Sequence, residues 1–165
     1  MILRLPTPAD TEAVLALNLN DVQYLSPMDA ARWAMFRNGS TFTRVVEIDA
    51  VVAGFVVVFA PTDTYESLNF AWFCERYARF WYLDRIVVSP DFRRRGIGQF
   101  IYDAVEKGAA AAGQQRVLCE VNVYPPNEVS LLFHEQRGYL EVGRRGTEAD
   151  GKILQMLAKE LAVPE

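Results

Sequence analysis

Histidine is almost missing from this chain: His134 stands alone among 165 residues. Cysteine is scarce too, with only Cys74 and Cys119, far apart. A structural zinc site takes about four Cys or His ligands in close spacing, so composition argues against one. The two cysteines allow one disulfide or two free thiols. Buried thiols in a reducing compartment are the preferred reading. No apolar run reaches the ~18 residues of a membrane helix. The apolar start Met1–Pro6 is too short for a signal peptide, so the sequence predicts a cytoplasmic protein. An excess of positive charge is lacking as well. The net charge is −4, which points to neither nucleic acid nor an anionic membrane as partner. Repeats, low-complexity runs and linkers are absent, and 165 residues fit a single domain, 1–165.

What is present alternates between β-branched runs and helical stretches. Residues 2–5 can form a short edge strand. Thr7-Pro8 opens a helix whose apolar face is Val14, Leu15, Leu17 and Leu19. A second helix spans 29–37 and stops at Asn38-Gly39. Residues 41–48 and 51–59 read as a hairpin across Asp49-Ala50. Residues 62–78 are rich in aromatics and too long for an ordinary connection, which suggests a functional loop or a short irregular helix. They can cover a ligand, pack as a satellite cluster, or form a homodimer face. A strand over 80–88, a helix over 96–112, a strand over 116–123, a helix to about 137 and two closing strands, 139–143 and 153–158, complete the order. That is an α/β fold: one mixed, mostly antiparallel sheet of six to seven strands with helices on both faces.

The most informative local feature joins the 80–88 strand to the next helix: Arg93-Arg94-Arg95-Gly96-Ile97-Gly98. Backbone amides at a helix start have no intrahelical partner and face outward with the positive end of the dipole. Glycines at 96 and 98 let an anion reach them, and the arginines add charge-assisted bonds. No Gly-Lys-Ser/Thr follows, so this is not a P-loop. Position 101 is Ile101, so the dinucleotide fingerprint is absent too. A solvated basic turn is the alternative.

This turn resembles the signature Gln/Arg-x-x-Gly-x-Gly/Ala of the GNAT superfamily of N-acetyltransferases. The stretch from Asn127 through Ser130 and His134 to Gly138-Tyr139 is similar to the second signature of that family. The run Tyr65–Phe70, continued through Leu83–Ile86, is similar to a bacterial subgroup with no settled substrate. The resemblance implies that the amides of 93–98 bind the pyrophosphate of acetyl-CoA. It also implies that the strand ending Ile86-Val87-Val88 pairs with the pantetheine arm, and that Asn127 and Ser130 touch the cofactor.

Asn127, Ser130 and His134 lie at i, i+3 and i+7, so they share one helix face. Val129, Leu132 and Phe133 are expected on the opposite, core-facing side. Asn127 can also be a helix cap, Ser130 a plain exposed residue, and His134 a surface histidine. As a functional group, His134 would give a proton to the departing CoA thiolate. An attacking amine must lose a proton, and Glu120 or Asp84 can take it. Either carboxylate can instead be a salt bridge, Asp84 with Arg85 above all. Glu120 fits the position of the base in some family members only if Tyr124-Pro125-Pro126 holds an insertion. A covalent role for Cys119 is the least favoured route. Together with these residues, the resemblance implies acetyl transfer to a primary amine of a small molecule in a ternary complex. The competing class is a non-catalytic acyl-CoA sensor.

Overall fold

Two apolar runs set the centre of the molecule. In a computed structural model, which describes residues 1–162, β2 (Phe42–Ile48) and β3 (Val51–Phe59) form an antiparallel hairpin. Asp49 and Ala50 turn it with both φ angles positive, 49° and 63°, the tight geometry that suits the twist of the flanking strands. β1 (Ile2–Arg4) joins the outer edge of β2, and β4 (Phe80–Val88) pairs antiparallel with β3. β5 (Arg116–Tyr124), β6 (Leu140–Thr147) and β7 (Lys152–Glu160) complete a seven-stranded sheet, ordered β1-β2-β3-β4-β5-β7-β6. Among the described residues only the β4–β5 join is parallel.

Alternation along the strands divides the core between two faces. Phe55, Val57, Tyr82, Leu118 and Met156 pack beneath α1 (Thr11–Asn20), α2 (Ala30–Gly39) and α3 (Leu68–Cys74). Val56, Val58, Trp81, Val117 and Cys119 pack beneath α4 (Ile97–Ala111), with α5 (Glu128–Gln136) on the same side. The expected α/β fold with helices on both faces is the one found.

One local expectation is resolved between its alternatives and two need correction. The stretch 62–78 contains α3, whose Phe70 and Phe73 are buried against Phe80 and Tyr82. The segment is thus part of the core. Leu19 does not belong to the apolar face of α1, for it is 69% exposed. Its neighbour Asn18 is buried instead and accepts a bond from Arg85. The closing strands also run longer than expected, each pairing with the other across Thr147–Lys152.

Candidate active site

The parallel join is short. β4 and β5 pair only at Phe80–Tyr82 against Arg116–Leu118. Beyond Tyr82, β4 keeps its bonds to β3 alone, and beyond Leu118, β5 keeps those to β7 alone. The facing edges of Leu83–Val88 and Cys119–Val121 therefore hold unpaired main-chain groups across a cleft. Such edges accept an extended ligand as an added strand. The cleft opens at the carboxyl ends of parallel strands, where sheets of this kind bind ligands. Ile86, Val87 and Val88 lie on its β4 edge.

The arginine-glycine turn closes the floor of that side. Gly96 caps α4 at φ +75°, and a Cβ built there meets nothing within 4 Å. The space above it is open to a ligand. The amides of Arg94, Arg95, Gly96, Ile97 and Gly98 donate to no carbonyl of the turn or cap, so a row of donors points outward. A Cβ at Gly98 would touch the Phe133 ring at 3.7 Å, an ordinary contact. Arg93, Arg94 and Arg95 are all exposed. Arg93 lies 3.6 Å from Asp21, and Arg95 stacks over Phe92. Open amides and exposed arginines suit a pyrophosphate.

On the α1–α3 face, a slip in the β3–β4 register leaves Asp84 as an extra residue between Leu83 and Arg85. The bulge turns Asp84 and Arg85 to one face. Their side chains pair at 3.1 Å with little exposure. Arg85 also donates to Asn18 Oδ1 at 2.9 Å and to the Ser26 carbonyl at 3.2 Å, which ties the α1–α2 loop to β4. Asp84 Oδ1 accepts from Tyr65 at 2.8 Å and Tyr82 at 3.3 Å. The Tyr82 hydroxyl lies 2.9 Å from Glu120 Oε1 and so bridges the two carboxylates. Asn69 of α3 donates to the same Glu120 oxygen at 2.9 Å, while its carbonyl oxygen accepts from Arg145. Burial, and then the charge of Asp84, push the Glu120 carboxyl up to about 8. Its second oxygen, Oε2, is buried and has no hydrogen-bond partner among the described residues.

The pair of prolines after β5 makes a compact turn. Val123 bridges to Pro126, and the Asn127 amide donates to the Asn122 carbonyl at 3.0 Å. Asn127 caps α5 by accepting from the Ser130 amide at 3.3 Å. The expected core face of α5 holds for Phe133, which packs against the core, but not for the other two residues. Val129 and Leu132 are 83% and 54% exposed, whereas His134 is buried. Its Nδ1 bonds the Ser130 carbonyl at 2.7 Å, and its Nε2 lies 2.5 Å from the Tyr102 hydroxyl. Tyr102, Phe133 and Tyr139 surround the imidazole edge-on. An aromatic seat on α4 drew His134 inward. Burial lowers its proton affinity. Ser130 is half-buried beside it. Cys119 lies beneath, next to Tyr102, and burial pushes its thiol up, which keeps it from being a nucleophile.

The sequence profile of the Acetyltransferase (GNAT) family matches residues 12–139. The chain belongs to the GNAT acetyltransferase family. Solved structures share the fold of this GNAT chain at low identity. Ard1 from Thermoplasma volcanium is 16% identical with a TM-score of 0.79, over 98% of this chain and 97% of that one. Naa20 from Chaetomium thermophilum, in complex with a bisubstrate analogue, is 19% identical with a TM-score of 0.75, over 98% and 87%. A protein proposed to be a phosphinothricin N-acetyltransferase is 20% identical with a TM-score of 0.73, over 98% of each chain. No protein of curated function matches this GNAT chain by sequence. It is an acyltransferase of that family.

Two concave spaces flank the sheet of this acetyltransferase. One, of about 570 Å³, is lined by Leu131, His134, Tyr139 and Leu157 among others. The other, of about 660 Å³, runs from Ser26 to Met35. Volume alone does not locate the site here, because a cleft between two strand edges is open on both sides. Sequence reasoning missed Tyr65, Asn69, Tyr82, Tyr102 and Asn122. For Tyr82 and Asn122 a signal existed: each stands two residues from a proposed carboxylate, on the same strand face. No helix among the described residues is long and apolar enough to cross a membrane.

Proposed function

We propose that this enzyme transfers the acetyl group of acetyl-CoA to a primary amine of a small molecule, by direct attack within a ternary complex. The observation that supports this most is Glu120. It is a carboxyl held near neutrality, with a bare oxygen, where β4 and β5 part company. In this reading the amides of Arg94 to Gly98 hold the pyrophosphate, with Arg93, Arg94 and Arg95 adding charge. The free edge through Ile86, Val87 and Val88 takes the pantetheine arm, and Asn127 and Ser130 border it.

The amine loses its proton to Glu120 Oε2 as its nitrogen attacks the thioester carbonyl. The C–S bond then breaks and the thiolate leaves. Asp84 acts on Glu120 through the Tyr82 hydroxyl and through its charge, which keeps the Glu120 proton affinity high. His134 has both ring nitrogens engaged, Nδ1 by the Ser130 carbonyl and Nε2 by the Tyr102 hydroxyl, so the pair ties α5 to α4, and we assign the thiolate's proton to solvent at the cleft, which balances the one Glu120 takes from the amine. Nothing in the geometry favours a sensor over an enzyme.

The test is CoA-thiol release with a panel of primary amines from pH 6 to 9.5, wild type against Glu120→Gln. The ratio of the two rates cancels the amine's own titration. We expect it to climb with pH, level off above about 8, and reach about 100-fold. A ratio within twofold across the range would exclude Glu120 as the base.

A further inference from the structure

Buried polar atoms without partners are rare in folded proteins, and each one calls for a reason. Among the described residues, three side-chain atoms are in this state: Trp33 Nε1, Glu120 Oε2 and Asn122 Nδ2. Two of the three stand at i and i+2 on β5. That spacing places them on one face of the strand, about 7 Å apart along it. Both lie beyond Leu118, where β5 has lost β4 as a neighbour and its edge faces the cleft. Asn122 is 5% exposed, yet its side-chain amide makes no hydrogen bond to any described residue. The strand main chain holds the backbone of Asn122 on both sides, through Leu154 of β7 and the Asn127 amide. The side chain is thus anchored at its root by the strand and buried, with its amide nitrogen unemployed among the described residues.

The two bare atoms differ in kind. Glu120 Oε2 accepts, and Asn122 Nδ2 donates. A ligand that satisfies both must offer an N–H to the first and an oxygen to the second. In an α-amino carbonyl group the nitrogen and oxygen stand about 3 Å apart. With two bent hydrogen bonds of about 2.9 Å, that group spans the spacing along the strand. A neutral carbonyl suits the site better than a carboxylate, because Asp84 and Glu120 already crowd it with acid.

We propose that Glu120 and Asn122 form a two-point acceptor subsite for an amine that stands beside a neutral carbonyl, as in an α-amino amide. This rests on the amine-acetyltransferase reading above and adds to it a specificity-determining residue, Asn122. The amine nitrogen faces Glu120, and the neighbouring carbonyl oxygen accepts from Asn122 Nδ2.

The experiment compares kcat/KM for alaninamide, the tripeptide Ala-Ala-Ala and propylamine in wild type, Asn122→Leu and Asn122→Val. Each variant-to-wild-type ratio is taken within one substrate, so the differing basicities of the amines cancel. Both variants remove the donor without adding charge beside Glu120 and leave no bare polar atom; leucine keeps the branching of asparagine and the smaller valine guards against overpacking, so the Tm of at least one should match or exceed that of wild type. We expect kcat/KM to fall about 10- to 100-fold on the two carbonyl compounds and less than twofold on propylamine. The carbonyl compound with the larger wild-type kcat/KM identifies the source, free amide or peptide end. Equal losses on all three substrates overturn the subsite and place Asn122 on the shared thioester instead. No loss on any of them also overturns it, with the amine reading intact. No turnover of any amine overturns both.

Discussion

Glu120 and Asp10 are carboxylates that titrate in opposite directions, and each makes the stability of the chain depend on pH. Glu120 keeps its proton in the folded chain up to about 8, against an ordinary value of 4.5. Between those values the folded state binds the extra proton, so stability falls as pH rises through the window. Glu120→Gln should remove that decline; denaturant unfolding at pH 5, 6.5 and 8 checks it. Asp10 behaves the other way. Arg4 bonds it at 2.8 and 2.9 Å and the Thr7 amide at 2.6 Å, which holds its carboxyl well below the usual range. Its contribution is present above its ordinary value of 3.8 and is lost as pH falls. Asp10→Asn should cost about 2 kcal/mol at pH 7 and flatten the acid limb of the stability curve. A cost at pH 7 equal to that at pH 3 would contradict this. At the same scale, Asp84→Asn should move the midpoint of the rate ratio, taken with and without Glu120→Gln, below 8, because the Asp84 charge helps keep Glu120 protonated.

At the scale of elements, the turn before α4 was legible, since consecutive arginines and two spaced glycines describe their own chemistry. Gly96→Val should raise the KM for acetyl-CoA at least tenfold and leave that for the amine within about twofold. A β-branched residue is strained at φ +75°, and its side chain would occupy the open space above the amides. Gly98→Ala should be nearly neutral, because its Cβ meets only the Phe133 ring at an ordinary 3.7 Å. The face of α5 was misread for a physical reason. Val129 and Leu132 look like core residues by hydropathy, but the partner surface on α4 offers Tyr102, whose hydroxyl needs an acceptor that His134 supplies. Helical spacing shows which residues share a face and not which face turns inward. The work of α3 was equally hidden, since its tie to the site is one side chain, Asn69, set between Glu120 and Arg145. Asn69→Ala removes a donor that favours the Glu120 carboxylate, so the activity limb should shift above pH 8. A shift downward would show that the α3 contact acts otherwise.

For the whole molecule, strand positions were readable from β-branched runs and proline or glycine stops. The order of the strands was not, because period-two patterning carries no record of the neighbour. The consequence matters for function. A single parallel join of three residue pairs, Phe80–Tyr82 against Arg116–Leu118, is what lets the sheet part and leaves two open edges. Gly54 helps to keep the β4 side in shape, for a Cβ there would meet the Val87 carbonyl oxygen at 2.7 Å. The anion turn, the free β4 edge and the Glu120 network border this one gap from different elements. A crystal structure with acetyl-CoA is the most direct measurement. It should place pyrophosphate oxygens within about 3 Å of the amides of Arg94 to Gly98, with pantetheine laid along Leu83 to Val88. Cofactor bound instead in the space between α5, β6 and β7, with the β4 edge empty, would contradict the assignment of the cleft.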